Sequence, residues 1–424
     1  MRYLYIILFL FVLQGRSLAQ PICNIEHYST SSGLSQGFVE SMLQDRNGLF
    51  WFATWNGLDC YDGYSFTNYN NQSTKHGGIL STNRITNIYQ TKCGDIWCWT
   101  YDGNIYLFDI RKKCFIDILT KVEKEIKHKI HVVAVIPLHK GVTWVIDADG
   151  YNLRIDDVLC KEGKGITLYN SDNKNLKGDK IFTVYQDIDG DEWVLTDRGI
   201  TVVGKKNVKS DLPFRRIKER NKDIYLISAS DKFAKYDRQS NDIHFIEMPS
   251  LSGDIINLSG WKDEDELGIS TTDGFYIYSI PKDSFRKIDV TSVEYYYIDK
   301  KGFCWMIQSS ENKVVRVDTK TLETKVYNFA TTHYVERGDK RRGRSFAFED
   351  KNGNLWIMIS RLGMYFYNAE EDKLEPYLLN DSDPDSYFAF LLSADGCLIV
   401  RKTYGLRQTT ELPKLYSFQT SLIL

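Results

Sequence analysis

Asp45-Arg46-Asn47-Gly48-Leu49-Phe50-Trp51 is the stretch that most narrows what this chain can fold into. An Asp that bonds its own turn, with a Gly free to take positive φ, makes a hairpin. Leu49, Trp51 and Ala53 alternate with Phe50, Phe52 and Thr54, as in a strand buried on both faces. Asn56-Gly57 offers a second hairpin turn, so the unit is an antiparallel meander. It recurs. Asp-x-x-Gly-x-x-Trp returns at Asp187, Gly190 and Trp193, at Asp299, Gly302 and Trp305, and at Asp350, Gly353 and Trp356. Degenerate copies keep Trp97 and Trp144, and weaker ones lie around Tyr225, Leu267 and Ile399. Successive anchors stand 32 to 51 residues apart. A strand-rich repeat of roughly 40–50 residues reads as propeller blades, each a four-stranded sheet.

The same spacing decides what the repeated residues are for. Asp187, Asp189 and Asp191 alternate as carboxylates in a calcium loop can. The Asp and Gly are nonetheless needed simply to make the turn. The tryptophans keep one place beside that turn, which assigns them to packing between blades rather than to a substrate platform.

Aromatics make up 14% of the 424 residues and Pro only 8 of them, which favours an ordered β protein. Lys and Arg number 54 against 56 Asp and Glu, so no basic bias points to nucleic acid. Residues 1–19 read as a signal peptide: Arg2, an apolar Tyr3–Leu13, and Ser17-Leu18-Ala19 ahead of Gln20. The apolar run is short for a membrane span, an uncleaved anchor being the alternative. The processed chain is expected in the periplasm. The eight cysteines are expected to be mostly buried free thiols, with room for one or two bridges. Cys93 and Cys98 flank a hairpin turn with no His partner and do not read as a metal pair.

Two further stretches carry a family resemblance: His27-Tyr28-Ser29-Thr30-Ser31-Ser32-Gly33-Leu34-Ser35-Gln36, and the run from Thr54-Trp55-Asn56-Gly57 to Phe66. With the repeats, they resemble the two-component-regulator propeller repeat of periplasmic sensor regions in Bacteroides-type hybrid two-component systems. The resemblance covers nearly all of the processed chain and is strongest in the first, fourth, seventh and eighth repeats. It implies two seven-bladed propellers, a small β-sandwich, a membrane helix and a histidine kinase that signals to a DNA-binding output. On that template the fold is all-β, with seven four-stranded antiparallel blades and the start of a second propeller. Residues 20–335 would form the first ring. Residues 336–424 would be blades of an incomplete second one, in a truncated reading frame. A single ring of eight or nine blades is the alternative. In a ring, the strand around Ile25-Glu26-His27-Tyr28 can close the last blade and hide its edge.

No His-Glu-x-x-His, phosphate loop or kinase phosphoacceptor motif is present. No catalytic residue, metal ligand or cofactor is assigned. His128-Lys129-Ile130-His131 could hold a metal weakly but reads first as a solvated loop. Ligand residues should be ones that break the repeat. The turn between second and third strands varies, and offers Trp55, Asn56, Tyr101, Arg198 and Arg361. Aromatic faces stack on sugars, while Asn and Arg bond hydroxyls and carboxylates. Lys340-Arg341-Arg342-Gly343-Arg344 could meet an acidic sugar or be plainly solvated. The expectation is a ligand-sensing, glycan-sensing binding module and not an enzyme. A membrane would be reached only through absent downstream parts or an uncleaved anchor, and the family's signalling suggests a homodimer. The rivals are a secreted propeller lyase or glycosidase and a protein-interaction scaffold.

Overall fold

The computed structural model describes residues 23–72, 79–170, 172, 175–205, 208–249, 253–329, 345–350, 352–359, 363–377, 387–392, 398–402 and 415–420. Their strands form nine antiparallel sheets, eight of four strands and one of three. Blades 1 to 8 span 39–69, 85–117, 132–169, 181–202, 214–246, 255–288, 295–328 and 346–376. Blade 4 is the three-stranded one. The ninth sheet joins the strands at 387–392, 398–402 and 415–420 to the first strand, Cys23–Tyr28. That strand pairs with Leu415–Thr420, Ile25 opposite Phe418.

Neighbouring blades touch at their first strands. Val39–Gln44 lies against Ile85–Gln90, and Phe214–Arg220 against both Ile181–Gln186 and Ile255–Gly260. First strands therefore line the inside of the ring and fourth strands its rim. Val39–Gln44 also lies against Tyr387–Leu392, on the side away from blade 2. The last sheet thus sits beside the first, where the final blade of a ring belongs.

Second strands are apolar on both faces because both faces are covered. Trp51 and Ala53 pack with Ile85, Ile88 and Phe108 of blade 2, while Phe52 packs with Leu34 and Val39 on the other side. The same alternation puts Trp193 between blades 4 and 5 and Val194 between blades 3 and 4. Trp97 faces Val135, Val145 and Leu153 of blade 3, and Trp144 faces Val184 and Val194 of blade 4. Seven sheets end at residue 328, the reach expected of a first ring. The core does not stop there. Trp305, Ile307 and Val314 pack with Ala347, Leu355 and Ile357 across the division expected at 335/336.

The recurrent turn shows why its residues recur. Gly48, Gly190, Gly302 and Gly353 take φ of +86°, +94°, +90° and +80°. Asp45 Oδ1 accepts the amides of Asn47 and Leu49, and its Oδ2 accepts the Trp51 indole N–H at 2.9 Å. Asp187–Trp193, Asp299–Trp305 and Asp350–Trp356 repeat that indole bond at 3.0, 2.8 and 3.0 Å. One carboxylate thus caps the turn and pairs a buried indole six residues on. Where the Asp is missing, the next blade supplies the acceptor. Trp97 donates to Thr143 at 3.1 Å, and Trp144 to Glu192 at 2.8 Å, with Arg154 paired to Glu192 at 2.6 Å. The calcium-like loop is spent in the same way: Asp187 also takes Arg238 of blade 5 at 3.2 Å, and Asp191 pairs with Lys205.

The short helix expected after blade 2 is α1 (Leu119–Ile126), seated on the core through Leu119 and Val122. Among the described residues no helix is long and apolar enough to cross a membrane. Cys60, Cys98, Cys114, Cys160 and Cys304 are buried free thiols, and Cys93 is an exposed one. Burial pushes Cys60 and Cys160 up to about 12, which keeps them protonated and unreactive. Cys397 lies outside the described residues.

Asp299→Ala removes both the turn cap and the partner of a fully buried indole. It should cost about 2–4 kcal/mol, seen as a lower denaturation midpoint. Asp299→Asn, which keeps an acceptor oxygen, should cost less.

Candidate functional site

Turns between second and third strands share one end of the ring with the blade-to-blade connections. One backbone bond marks that end in blade after blade. The residue after the second strand donates to the residue before the first: Trp55 to Phe38, Tyr101 to Arg84, Ala148 to His131 and Asp197 to Lys180. Side chains at these paired places therefore crowd together at the mouth, and here they break the repeat.

Blades 1 and 2 build a stack from them. The Phe38 and Trp55 rings lie 4.3 Å apart and 12° from parallel. The Arg84 guanidinium sits 3.9 Å from the Trp55 ring centre and 4.0 Å from that of Tyr101. A cation held between two aromatic faces is attracted by both. Phe38 and Arg84 leave the Trp55 indole no free face, and its N–H donates to Glu40 at 2.9 Å. Tyr101 is different. Arg84 backs one face, and the residue is 65% exposed. Next to it, Asp102 accepts from Thr100 at 2.7 Å and from Asn104 at 3.1 Å, and Asn104 also reaches Ser81. The exposed ring thus shares its turn with amide and carboxylate groups.

The structure sorts the sequence candidates. Trp55 and Tyr101 are brought together through Arg84. Asn56 is part of the turn, its carbonyl accepting the Asn68 amide at 3.0 Å. Arg198 is exposed on blade 4, at the same end but two blades from Tyr101. Arg361 and the basic run at 340–344 lie outside the described residues. Sequence reasoning missed Phe38, Glu40 and Arg84. Their one signal was position, at or next to the start of a first strand. A cavity of about 330 Å³ lies beside α1, lined by Val122, Leu153 and Cys160. None of the mouth residues lines it.

Beneath the blade 1 turn sits a buried carboxyl. Asp59 Oδ2 accepts the Ser35 amide at 3.1 Å and its hydroxyl at 2.6 Å, and Oδ1 accepts Asn68 at 2.8 Å. Burial lifts its pKa from 3.8 to about 6, against the pull of those bonds. Folding therefore favours the protonated form. The stabilisation from that proton is present at low pH and is lost as pH rises through about 6. Between pH 4 and 7 the protein should lose roughly 2 kcal/mol through this group. Asp59→Asn, which cannot ionise, should flatten that part of a denaturation midpoint–pH profile. An unchanged slope in the variant would assign the effect elsewhere.

Comparison with known proteins bears on the repeat and the fold. No curated protein sequence matches the chain. It is similar to the extracellular domain of the hybrid two component system BT3049 from B. thetaiotaomicron, at 19% identity and a TM-score of 0.38. That match covers 92% of this chain and 54% of the other. The extracellular domain of the one component system BT4673 from the same organism gives 16% identity and 0.37, over 92% and 60%. The chain thus spans little more than half the length of these two domains. The Dos1 propeller matches at 12% identity with a TM-score of 0.50, over 93% of this chain and 95% of the other, which supports the propeller fold. Residues 33–56, holding the Asp45–Trp51 turn and Trp55, match the family described as Two component regulator propeller. The first blade of this β-propeller therefore carries the two component regulator propeller repeat.

Proposed function

We propose that this chain is an extracytoplasmic ligand-sensing propeller of a two-component signalling regulator, built as one ring, and that it binds an oligosaccharide at Tyr101. The observation that carries the ligand reading is the Phe38–Trp55–Arg84–Tyr101 stack. It spends three side chains to present one exposed aromatic face. Such a face suits the C–H side of a sugar ring, and Asp102, Asn104 and Ser81 stand beside it for hydroxyls. The Arg84 charge behind the ring favours acidic sugars. The repeat at 33–56 supports the signalling part of the reading, and the leader-like pattern of residues 1–19 is what suggests export.

The enzyme reading gains nothing from Asp59, whose carboxyl pKa burial lifts to about 6. Asp59 is fully buried and both its oxygens are occupied, so it cannot reach a glycosidic oxygen.

A panel of neutral and acidic oligosaccharides, read by thermal shift and then by calorimetry, tests the assignment. At least one should raise the melting temperature. Tyr101→Ala should then lose about tenfold in affinity while keeping the wild-type melting temperature in the absence of sugar. Trp55→Ala should instead lower that temperature, because both faces of its ring are packed. No response across the panel, or equal affinity in Tyr101→Ala, would overturn the assignment.

A further inference from the structure

At the same end of the ring, blade 3 breaks the repeat in another way. Thr54, Thr100, Thr196 and Thr271 end second strands in blades 1, 2, 4 and 6, and the first, third and fourth of these cap their turns by hydroxyl. Blade 3 has Asp147 at this place, with a fully buried side chain. Its Oδ1 accepts the His131 amide at 2.6 Å, and its Oδ2 accepts those of Asp149 and Tyr151, both at 3.0 Å. It does the work of the threonine and adds a charge that the turn does not need.

Three further ligand-type groups converge there. His128 follows α1, and its ring stacks on Tyr151 at 4.0 Å and 18°. Its Nε2 is buried without a hydrogen-bond partner, 3.6 Å from both Asp147 Oδ2 and Asp149 Oδ2. His131 Nδ1 stands 2.9 Å from Asp149 Oδ2. The four ligand atoms all lie within 4.8 Å of one another. Tetrahedral zinc, with bonds near 2.0–2.1 Å, holds its ligand atoms about 3.4 Å apart. A turn and a stacked ring fix Asp147 and His128, while the half-exposed His131 and Asp149 can move by the roughly 1 Å that separates the widest pairs from that spacing.

From this juxtaposition we infer that His128, His131, Asp147 and Asp149 form a binding site for one divalent transition-metal ion of the zinc type. Two imidazoles with two carboxylates suit zinc, nickel or copper. Calcium and magnesium want six or more oxygens, which this site does not offer. Two carboxylates and two neutral imidazoles balance a 2+ ion, and the ion removes the cost of the buried Asp147 charge. Once bound, it ties the connection at 127–131 to the turn at 147–151. That stiffens one sector of the mouth independently of any sugar at Tyr101.

The test is zinc titration of the EDTA-treated, desalted protein by calorimetry, with metal content by mass spectrometry and thermal shift in parallel. One zinc per chain should bind and raise the melting temperature. His131→Ala and Asp149→Asn should each weaken binding at least tenfold, yet melt like wild type in EDTA, since neither side chain caps the turn. Cys93→Ser, which removes the exposed thiol, should bind as wild type does. Absence of stoichiometric zinc in the wild type would overturn the inference. So would unchanged affinity in both site variants, or loss of binding in Cys93→Ser alone.

Discussion

A row of sheets that pack face to face is stable only if its last member finds a face to cover and a strand to cap its edge. Everything else here depends on meeting that constraint. Each blade buries both faces of its second strand, so an uncovered blade would show water a surface like Phe52 with Val39. An unpaired outer strand would leave a template for aggregation. Cys23–Tyr28 meets the second need by pairing with Leu415–Thr420, and the contact between Tyr387–Leu392 and Val39–Gln44 meets the first. In blades 1, 4, 7 and 8 the Asp–indole bond has a local version of the same task. It lets a large ring sit between two sheets without leaving a buried N–H unpaired.

The two ends of the ring divide the labour. At the end of the Asp-x-x-Gly turns, polar groups latch one blade to the next, as Arg238 does to Asp187 and Lys140 to the Asp189 carbonyl. At the other end one backbone bond holds the connection to its turn in blades 1 to 6, and the side chains are free to differ. Blades 1 and 2 use that freedom for an aromatic–guanidinium stack, and blade 3 for two histidines and two aspartates. Constant residues build the ring, and variable residues at fixed places give the mouth its chemistry.

Much of this was legible because it is local. A turn, an alternating strand and a spacing of 32 to 51 residues specify a blade without long-range information. The Asp–Trp bond spans only six residues, so its recurrence is visible in one line of text. Trp97 and Trp144 looked degenerate only because their partners, Thr143 and Glu192, stand 46 and 48 residues away. The mouth was half legible for the same reason. Trp55 and Tyr101 stood out as departures within the turn, but Arg84, which joins them, lies in a connection with no pattern of its own. His128 and His131 drew notice as a pair. Asp147 and Asp149, which complete their cluster, stand one hairpin further on and carried no signal of their own. Closure was the least legible feature. The pairing of residue 25 with residue 418 leaves no mark in either stretch beyond a strand-like pattern.

Closure is therefore where one measurement decides most. Glu26 and Ser417 are paired across the strand joint. Cysteines placed at both positions, under mild oxidation at low protein concentration, test whether the joint exists in solution. An intramolecular 26–417 bridge, mapped by peptide mass spectrometry in a monomer that keeps its melting temperature, is the result a single closed ring predicts. No bridge, or bridges only between chains, would contradict it. The seven sheets ending at residue 328 would then form a ring of their own, with the rest the beginning of another.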